Sequence, residues 1–141
     1  MIGSSPVGRF EILEHTADVG VRGRGKDLPE AFEMATRGLA DICGTWVPDG
    51  GEVVDVQVRA EDVEAALVDW LNEVLWLQDS RDAVITRIEV DDVSDLGASG
   101  RLWLAPREDE LEGTAVKAAT YHQLRVARER DGWVTEIYVD V

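Results

Sequence analysis

Polar residues with metal-binding or acid–base chemistry separate the first two segments that resemble β-strands, at Glu14 to Gly20. Connections between strands are exposed and often carry functional groups. The Asp18 carboxylate is a candidate cation ligand, whereas His15 is a candidate ligand, base or turn-stabilising hydrogen-bonding group. A simple polar turn is the alternative interpretation of the same residues.

The C-terminal residues form a second candidate site. A strand that ends with Asp140, followed by Val141 and its α-carboxylate, would hold two anionic groups within a few ångströms of each other. Hard divalent cations prefer oxygen ligands of this kind. If the last strand pairs with the second strand, we expect Asp18 to join Asp140; an incidental acid at a fraying end is the alternative.

Lys117 is one of two lysines in the chain, and it lies in a third candidate segment, Glu112 to His122. The pattern predicts a short apolar strand over 115–118 that includes Lys117, followed by a turn at Thr120 to His122. Lys117 is a candidate contact for an anionic partner or a carboxylate. A plain lysine on an edge strand is the alternative.

Motifs for independent catalysis are missing from the sequence. It has no phosphate-binding glycine-rich loop with Lys-Ser/Thr, no nucleophile elbow, no paired histidines at helical spacing and no Cys/His zinc pattern. The single cysteine, Cys43, follows an apolar helical pattern, which predicts a buried side chain. The composition therefore favours binding over nucleophilic catalysis.

The charge of the chain restricts its partners. It has 29 acidic and 14 basic residues, for a net charge of −15. Tight direct binding to nucleic acid is disfavoured, because such affinity comes from Lys and Arg that neutralise phosphates. An acidic surface favours a basic protein partner or cations, or serves solubility and adaptation to salt.

The apolar and cysteine content predicts a cytoplasmic protein without a membrane segment. No run approaches the ~18–20 apolar residues of a transmembrane helix, and the N-terminus lacks the layout of a signal peptide. A single cysteine excludes an intrachain disulfide, which suits a reducing compartment.

Two helices are predicted, over 28–42 and 62–78. Asp27 is the expected N-cap of the first, with Glu30 as its capping-box partner, and Gly44 is near its end. In the second helix Leu75 and Trp76 widen the apolar stripe, so we expect this helix to be covered on more than one side.

The remaining pattern predicts strands, with an acidic glycine-rich turn over 91–100 and an acidic loop over 106–112. The order ββα, βα and then four or five strands predicts an α+β domain with two helices on mostly antiparallel sheet. We expect a flexible tail over 1–8, a single domain over 9–141 and a paired C-terminal strand. The expected strands are 10–13, 19–24, 52–59, 83–90, 101–105, 115–118, 123–128 and 133–139.

Several blocks of the chain together resemble the archease family. They occur in the order found in that family and span about residues 9–141. The blocks are FEILEHTADVG (10–20), LPEAF (28–32), WLNEVL (70–75), GTAVKAATYH (113–122) and the terminal Asp140-Val141.

The resemblance implies a cytoplasmic accessory protein that is not itself an enzyme. Archeases activate the RtcB-type RNA ligase of tRNA splicing by promoting its guanylylation and multiple turnover, so tRNA is contacted only through the ligase. It further implies a divalent metal, calcium in the usual description with magnesium or manganese as alternatives. The implied ligands are Asp18, Asp140 and Val141, with His15 and His122 beside them and Lys117 acting on the partner.

The sequence departs from the family pattern in two places. Ala115 stands where a more polar residue is expected, and the acidic loop at 106–112 has no close match. Two other functions stay open at this point. One is a stand-alone metal-dependent hydrolase that uses Asp18, His15 and Asp140 around an activated water, and the other is a chaperone-like binding module.

Overall fold

The structure is a computed structural model that describes residues 8–15, 18–110 and 112–141. Residues 1–7 of the predicted tail therefore lie outside the described residues. Two helices and eight strands follow in the order ββαβαβββββ. They are β1 (Arg9–His15), β2 (Asp18–Gly25), α1 (Leu28–Cys43), β3 (Glu52–Arg59), α2 (Val63–Ser80), β4 (Ala83–Ser94), β5 (Gly97–Pro106), β6 (Ala118–Ala119), β7 (Arg125–Glu129) and β8 (Gly132–Asp140).

The strands form two antiparallel sheets. The first has the order β1-β2-β8, and both β6 and β7 pair with the far edge of β8. The second has the order β3-β5-β4. The prediction of an α+β fold with two helices on mostly antiparallel sheet is confirmed, as is the paired C-terminal strand.

Helix α1 begins at Leu28 as predicted and ends at Cys43, one residue beyond the predicted range and directly before Gly44. The Asp27 side chain accepts a hydrogen bond from Glu30 N at 2.9 Å, and Gly44 ends the helix in the left-handed conformation with φ of 68°. The helix packs closely on β2, because a Cβ added at Gly23 would lie only 2.6 Å from Ala35 N. Glycine is therefore required where the helix backbone crosses the strand.

Helix α2 supplies much of the core but is not covered on every side. Trp70 is fully buried, and its indole Nε1 donates to Thr36 Oγ1 at 2.9 Å, which joins the two helices. Leu75 is also buried, whereas Trp76 is 61% exposed. The prediction that Trp76 widens the buried stripe is wrong, because its side of the helix faces solvent.

The hairpin β4–β5 replaces the predicted turn at 91–100. β4 continues to Ser94 and β5 begins at Gly97, so Asp95 and Leu96 alone form the turn. Asp91 and Asp92 therefore belong to an exposed part of β4, and only Asp95 of the acidic residues lies in the turn. A register shift between Val90 and Asp92 interrupts the regular alternation there, which explains why the pattern resembled a turn.

The predicted strand over 115–118 is also wrong. The strand β6 consists of Ala118 and Ala119 alone. The preceding segment crosses from the end of α1 to β8: Thr114 N donates to Ile42 O at 2.8 Å and Lys117 N donates to Asp140 O at 2.7 Å. A segment whose backbone hydrogen-bond partner changes from α1 to β8 within three residues cannot form one continuous strand.

In the part of the chain that the structure describes, neither helix is long and apolar enough to cross a bilayer.

Candidate functional site

Asp18 and Asp140 meet at one end of the first sheet. Strand β2 pairs with β8 in a register that places Val19 opposite Val139. The next position along both strands therefore places Asp18, the first residue of β2, opposite Asp140, the last of β8. Directly opposed residues of antiparallel strands have Cβ atoms about 4.5–5.5 Å apart. The two carboxylates are thus neighbours, although 121 residues separate them (140 − 18 − 1 = 121).

Both aspartates lie on the face of the sheet that is turned away from α1. Alternation along β2 places Asp18 on the same side as Gly20 and Arg22. A Cβ at Gly20 would contact the Tyr138 ring at 2.9 Å, so Tyr138 lies on this side too. Asp140, two residues after Tyr138, shares that face. The Asp18 side chain is 49% exposed, which leaves its oxygens accessible.

Lys117 is held next to Asp140 by its backbone. Its N–H donates to Asp140 O at 2.7 Å, and Ala118 pairs with Asp140 across the sheet. The lysine is exposed. Within residues 8–15, 18–110 and 112–141, no salt bridge involves its ammonium. The fold therefore fixes the position of the Lys117 backbone and leaves the residue exposed.

His122 also reaches this end of the sheet. Its Nε2 lies 3.9 Å from Asp18 Oδ2, and its ring packs edge-on against Tyr138 with 6.2 Å between the centroids. The backbone of His15 pairs with Asp18 in the β1–β2 hairpin, while its side chain lies outside the described part. The structure thus brings together the predicted residues Asp18, Asp140, Lys117 and His122.

The donors at this end fit a hard divalent cation. Among the described side chains, no three from His, Cys, Asp and Glu converge as a metal-binding group. The site instead offers two aspartate carboxylates, and Val141 follows Asp140 directly with its residue 49% exposed. Carboxylate and backbone oxygens suit calcium, magnesium or manganese and are poor ligands for softer metals.

Arginines on the same face are engaged with glutamates rather than with the aspartates. Arg22 Nε donates to Glu136 Oε1 at 2.6 Å, and Arg24 Nε donates to Glu129 Oε1 at 2.9 Å. The hydrogen bond from Arg24 lowers the pKa of Glu129. These Arg–Glu pairs neutralise one another in the middle of the sheet. The negative charges of Asp18 and Asp140, at the end of the sheet, are therefore left for a cation.

Asn72 and Tyr138 support the segments that carry the candidate site, and sequence reasoning did not select them. Asn72 Oδ1 accepts from Ala119 N at 2.8 Å and its amide donates to Ala119 O at 3.4 Å, so α2 supports the free edge of β6. Tyr138 O accepts from Thr120 N at 3.0 Å. Asn72 lies outside the apolar stripe that passes through Leu67 and Val74, so the helical periodicity gave no signal for it.

Cys43 does not take part in this site. It is buried at the end of α1, as predicted, and burial raises the pKa of its thiol to about 11. A thiol in this state is an ineffective nucleophile at neutral pH.

The chain matches the archease protein family (MTH1598/TM1083) over residues 10–141. It is 31% identical over 150 residues to protein archease of Methanosarcina barkeri (strain Fusaro / DSM 804), with 98% of this chain and 99% of the relative covered. Protein archease of Thermococcus gammatolerans (strain DSM 15229 / JCM 11827 / EJ3) is 35% identical over 140 residues, with 94% and 99% covered.

Two solved structures share the fold. The solution structure of Methanobacterium thermoautotrophicum protein 1598 has a TM-score of 0.76 at 26% identity and covers 94% of this chain and 98% of that one. A Thermotoga maritima crystal structure, described as an archease and possible chaperone, has a TM-score of 0.67 at 26% identity, with 100% and 99% covered. With a family match over residues 10–141, this chain belongs to the archease family.

Proposed function

We propose that this protein activates an RtcB-type RNA ligase in tRNA splicing, as a cytoplasmic accessory protein without catalytic activity of its own. Its working end is the surface formed by Asp18, Asp140, Val141, Lys117 and His122. The observation that carries the proposal is the β2–β8 register, which places Asp18 opposite Asp140 on an uncovered face. Membership of the archease family supports the same function.

In this proposal Asp18, Asp140 and a Val141 oxygen would hold one divalent cation, calcium or alternatively magnesium or manganese. A bound cation would supply concentrated positive charge toward phosphate or carboxylate oxygens of the partner. Lys117 would present a second positive charge close by, because its backbone is tied to Asp140. His122 would lie beside that carboxylate, with its Nε2 3.9 Å from Asp18 Oδ2.

The surface charge supports a division of labour between the protein and its ligase. A chain with a net charge of −15 repels phosphates, so RNA would be held by the ligase alone. The acidic surface suits basic regions of a protein that binds RNA. The accessory protein would then promote guanylylation and turnover of the ligase by contact at its active site.

Metal binding is tested by calorimetry on the wild type and Asp18→Ala. Loss of one carboxylate should weaken binding at least ~10-fold, about 1.4 kcal/mol. Asp131→Ala, in the β7–β8 turn at the other end of the sheet, is the matched control and should bind as the wild type does. Equal affinity of Asp18→Ala and the wild type would remove Asp18 from the site.

Activation is tested by multiple-turnover ligation of tRNA halves with and without the protein, at fixed metal and GTP. We expect the wild type to raise turnover and Asp18→Ala and Asp140→Ala to lose that effect. RNA cleavage by the protein alone would instead support the hydrolase, and suppression of client aggregation would support the chaperone-like module. A ligase that turns over equally with and without the protein would contradict the proposal.

A further inference from the structure

Trp76 is an exposed aromatic residue on a helix that otherwise buries its large apolar side chains. It is 61% exposed, whereas Trp70, Leu71 and Leu75 of the same helix are at most 4% exposed. Tryptophan is enriched among the few interface residues that carry most of the binding energy. An indole left in water on a helix that supplies much of the core therefore marks a surface that a partner can cover.

The surroundings of Trp76 are acidic. Asp69 and Glu73 precede it by seven and three residues, and Asp79 follows by three, which places all three on or beside its side of α2. Asp69 and Asp79 are exposed and Glu73 is partly exposed. The surface is thus one aromatic ring among carboxylates, and we call these four residues the α2 anchor patch. A complementary surface has an apolar pocket bordered by Arg or Lys.

The α2 anchor patch is connected through Asn72 and β6 to the end of the first sheet that carries Asp18 and Asp140, which we call the metal end. Asn72, one helical turn before Trp76 and about 6 Å away along the axis, holds Ala119 through two hydrogen bonds. Ala119 pairs with Val139, and Lys117 N bonds to Asp140 O. A partner that contacts Asp18 and Asp140 therefore needs to extend by only one strand and one helical turn to reach Trp76.

We propose that Trp76 is the apolar anchor by which this protein docks on its ligase, inserted in a pocket bordered by basic side chains. The inference rests on the proposed function and adds a second contact to it. A second copy of the chain is a poor occupant, since it would bring a chain of net charge −15 against another. The metal end would then act on the partner, while the α2 anchor patch would determine the affinity.

The test compares Trp76→Ala with Leu96→Ala. Leu96 is the matched control because it is 75% exposed at the β4–β5 turn of the second sheet, whereas Asp18 and Asp140 lie in the first. Affinity for the purified RtcB-type ligase of the same organism is measured by calorimetry, together with calcium affinity and melting temperature of each variant alone. We expect Trp76→Ala to weaken ligase binding at least tenfold and leave the calcium affinity and melting temperature unchanged. Leu96→Ala should match the wild type in all three.

A charge variant tests the basic border of the pocket. Glu73→Gln combined with Asp79→Asn should slow association with the ligase several-fold at low salt and reduce its dependence on salt. Trp76→Phe should recover part of the affinity lost in Trp76→Ala.

The outcomes separate this inference from the proposed function. Ligase binding by Trp76→Ala equal to that of the wild type would overturn the anchor and leave the metal site intact. No ligase binding by the wild type would overturn the proposed function, and the anchor with it. Self-association that Trp76→Ala abolishes, without an effect on ligase binding, would assign the patch to a second copy and also overturn the inference.

Discussion

At the scale of single residues, the site combines fixed backbones with accessible side chains. Asp18 and Asp140 are held at the ends of two paired strands, and Lys117 is tied to Asp140 by a backbone hydrogen bond of 2.7 Å. Their charged groups remain exposed. Substitutions at these positions should therefore change binding and activation while the fold is retained.

Lys117 provides the sharpest test at this scale. Lys117→Ala should leave the melting temperature nearly unchanged, because the residue is exposed and its bond to Asp140 uses the backbone. It should reduce ligase activation severely, because the ammonium would pair with an anionic group of the ligase at the interface, and truncating one partner of a charge pair buried there costs about 2–5 kcal/mol in binding. Lys117→Arg should recover only part of the activation, since the planar guanidinium group of arginine does not replace the compact charge of the lysine ammonium.

Melting curves and multiple-turnover ligation of the two Lys117 variants decide the matter, with Lys26→Ala as the matched control. Full activation by Lys117→Ala would exclude the residue from the site. A large drop in its melting temperature would assign it a structural role.

At the scale of elements, helix α1 holds the two sheets together. It packs on β2 of the first sheet through Gly23 and Gly25. On its other side Glu33 Oε1 accepts from Val90 N of β4 at 2.8 Å. This contact takes a carboxylate partly out of water, and burial raises the pKa of Glu33. The ionised form of Glu33 is therefore less favourable in the folded than in the unfolded protein.

The contact predicts a pH-dependent effect of Glu33→Gln. Because the pKa of Glu33 is higher in the folded state, its contribution to stability falls as pH rises from the unfolded-state pKa through the folded-state pKa. Glutamine keeps the acceptor without the charge, so Glu33→Gln should melt higher than the wild type at pH 7–8. The difference should vanish at pH values below the unfolded-state pKa.

Glu129→Gln is the matched control, for which we expect a change in melting temperature of the opposite sign. Arg24 lowers the pKa of Glu129, so its contribution is present above the unfolded-state pKa and is lost as pH falls through the folded-state pKa. This variant should melt lower than the wild type at neutral pH and equal to it in acid. Melting curves between pH 3 and 8 measure both, and the same sign for both variants would contradict the assignment.

At the scale of the whole molecule, the net charge of −15 determines what can approach the surface. Free tRNA should bind weakly or not at all near physiological salt, because RNA affinity requires cationic groups that release counterions. A fluorescence anisotropy titration measures this directly, with the purified ligase as the positive control. A tight complex of the protein with bare tRNA that weakens steeply with salt would contradict the proposed division of labour.

The sequence by itself determined both helices, the caps of α1, the order of elements and the burial of Cys43. These properties depend on local periodicity and on the conformational preferences of Asp27, Gly44 and similar residues. The individual site residues Asp18, Asp140, Lys117 and His122 were also identifiable from their types and from the resemblance to archeases. Their roles as ligands and as partner contacts remain predictions.

Only the tertiary structure decided which of these residues meet. The β2–β8 pairing joins strands from opposite ends of the chain, and alternation determines which face a residue occupies but not which strand its own strand pairs with. The same limit applies to β6, whose length depends on the crossing from α1 to β8, and to the β4–β5 hairpin, where a register shift hides the alternation. Trp76 lies about half a turn around α2 from the buried Leu67, and it is exposed because nothing among the described elements packs on that side.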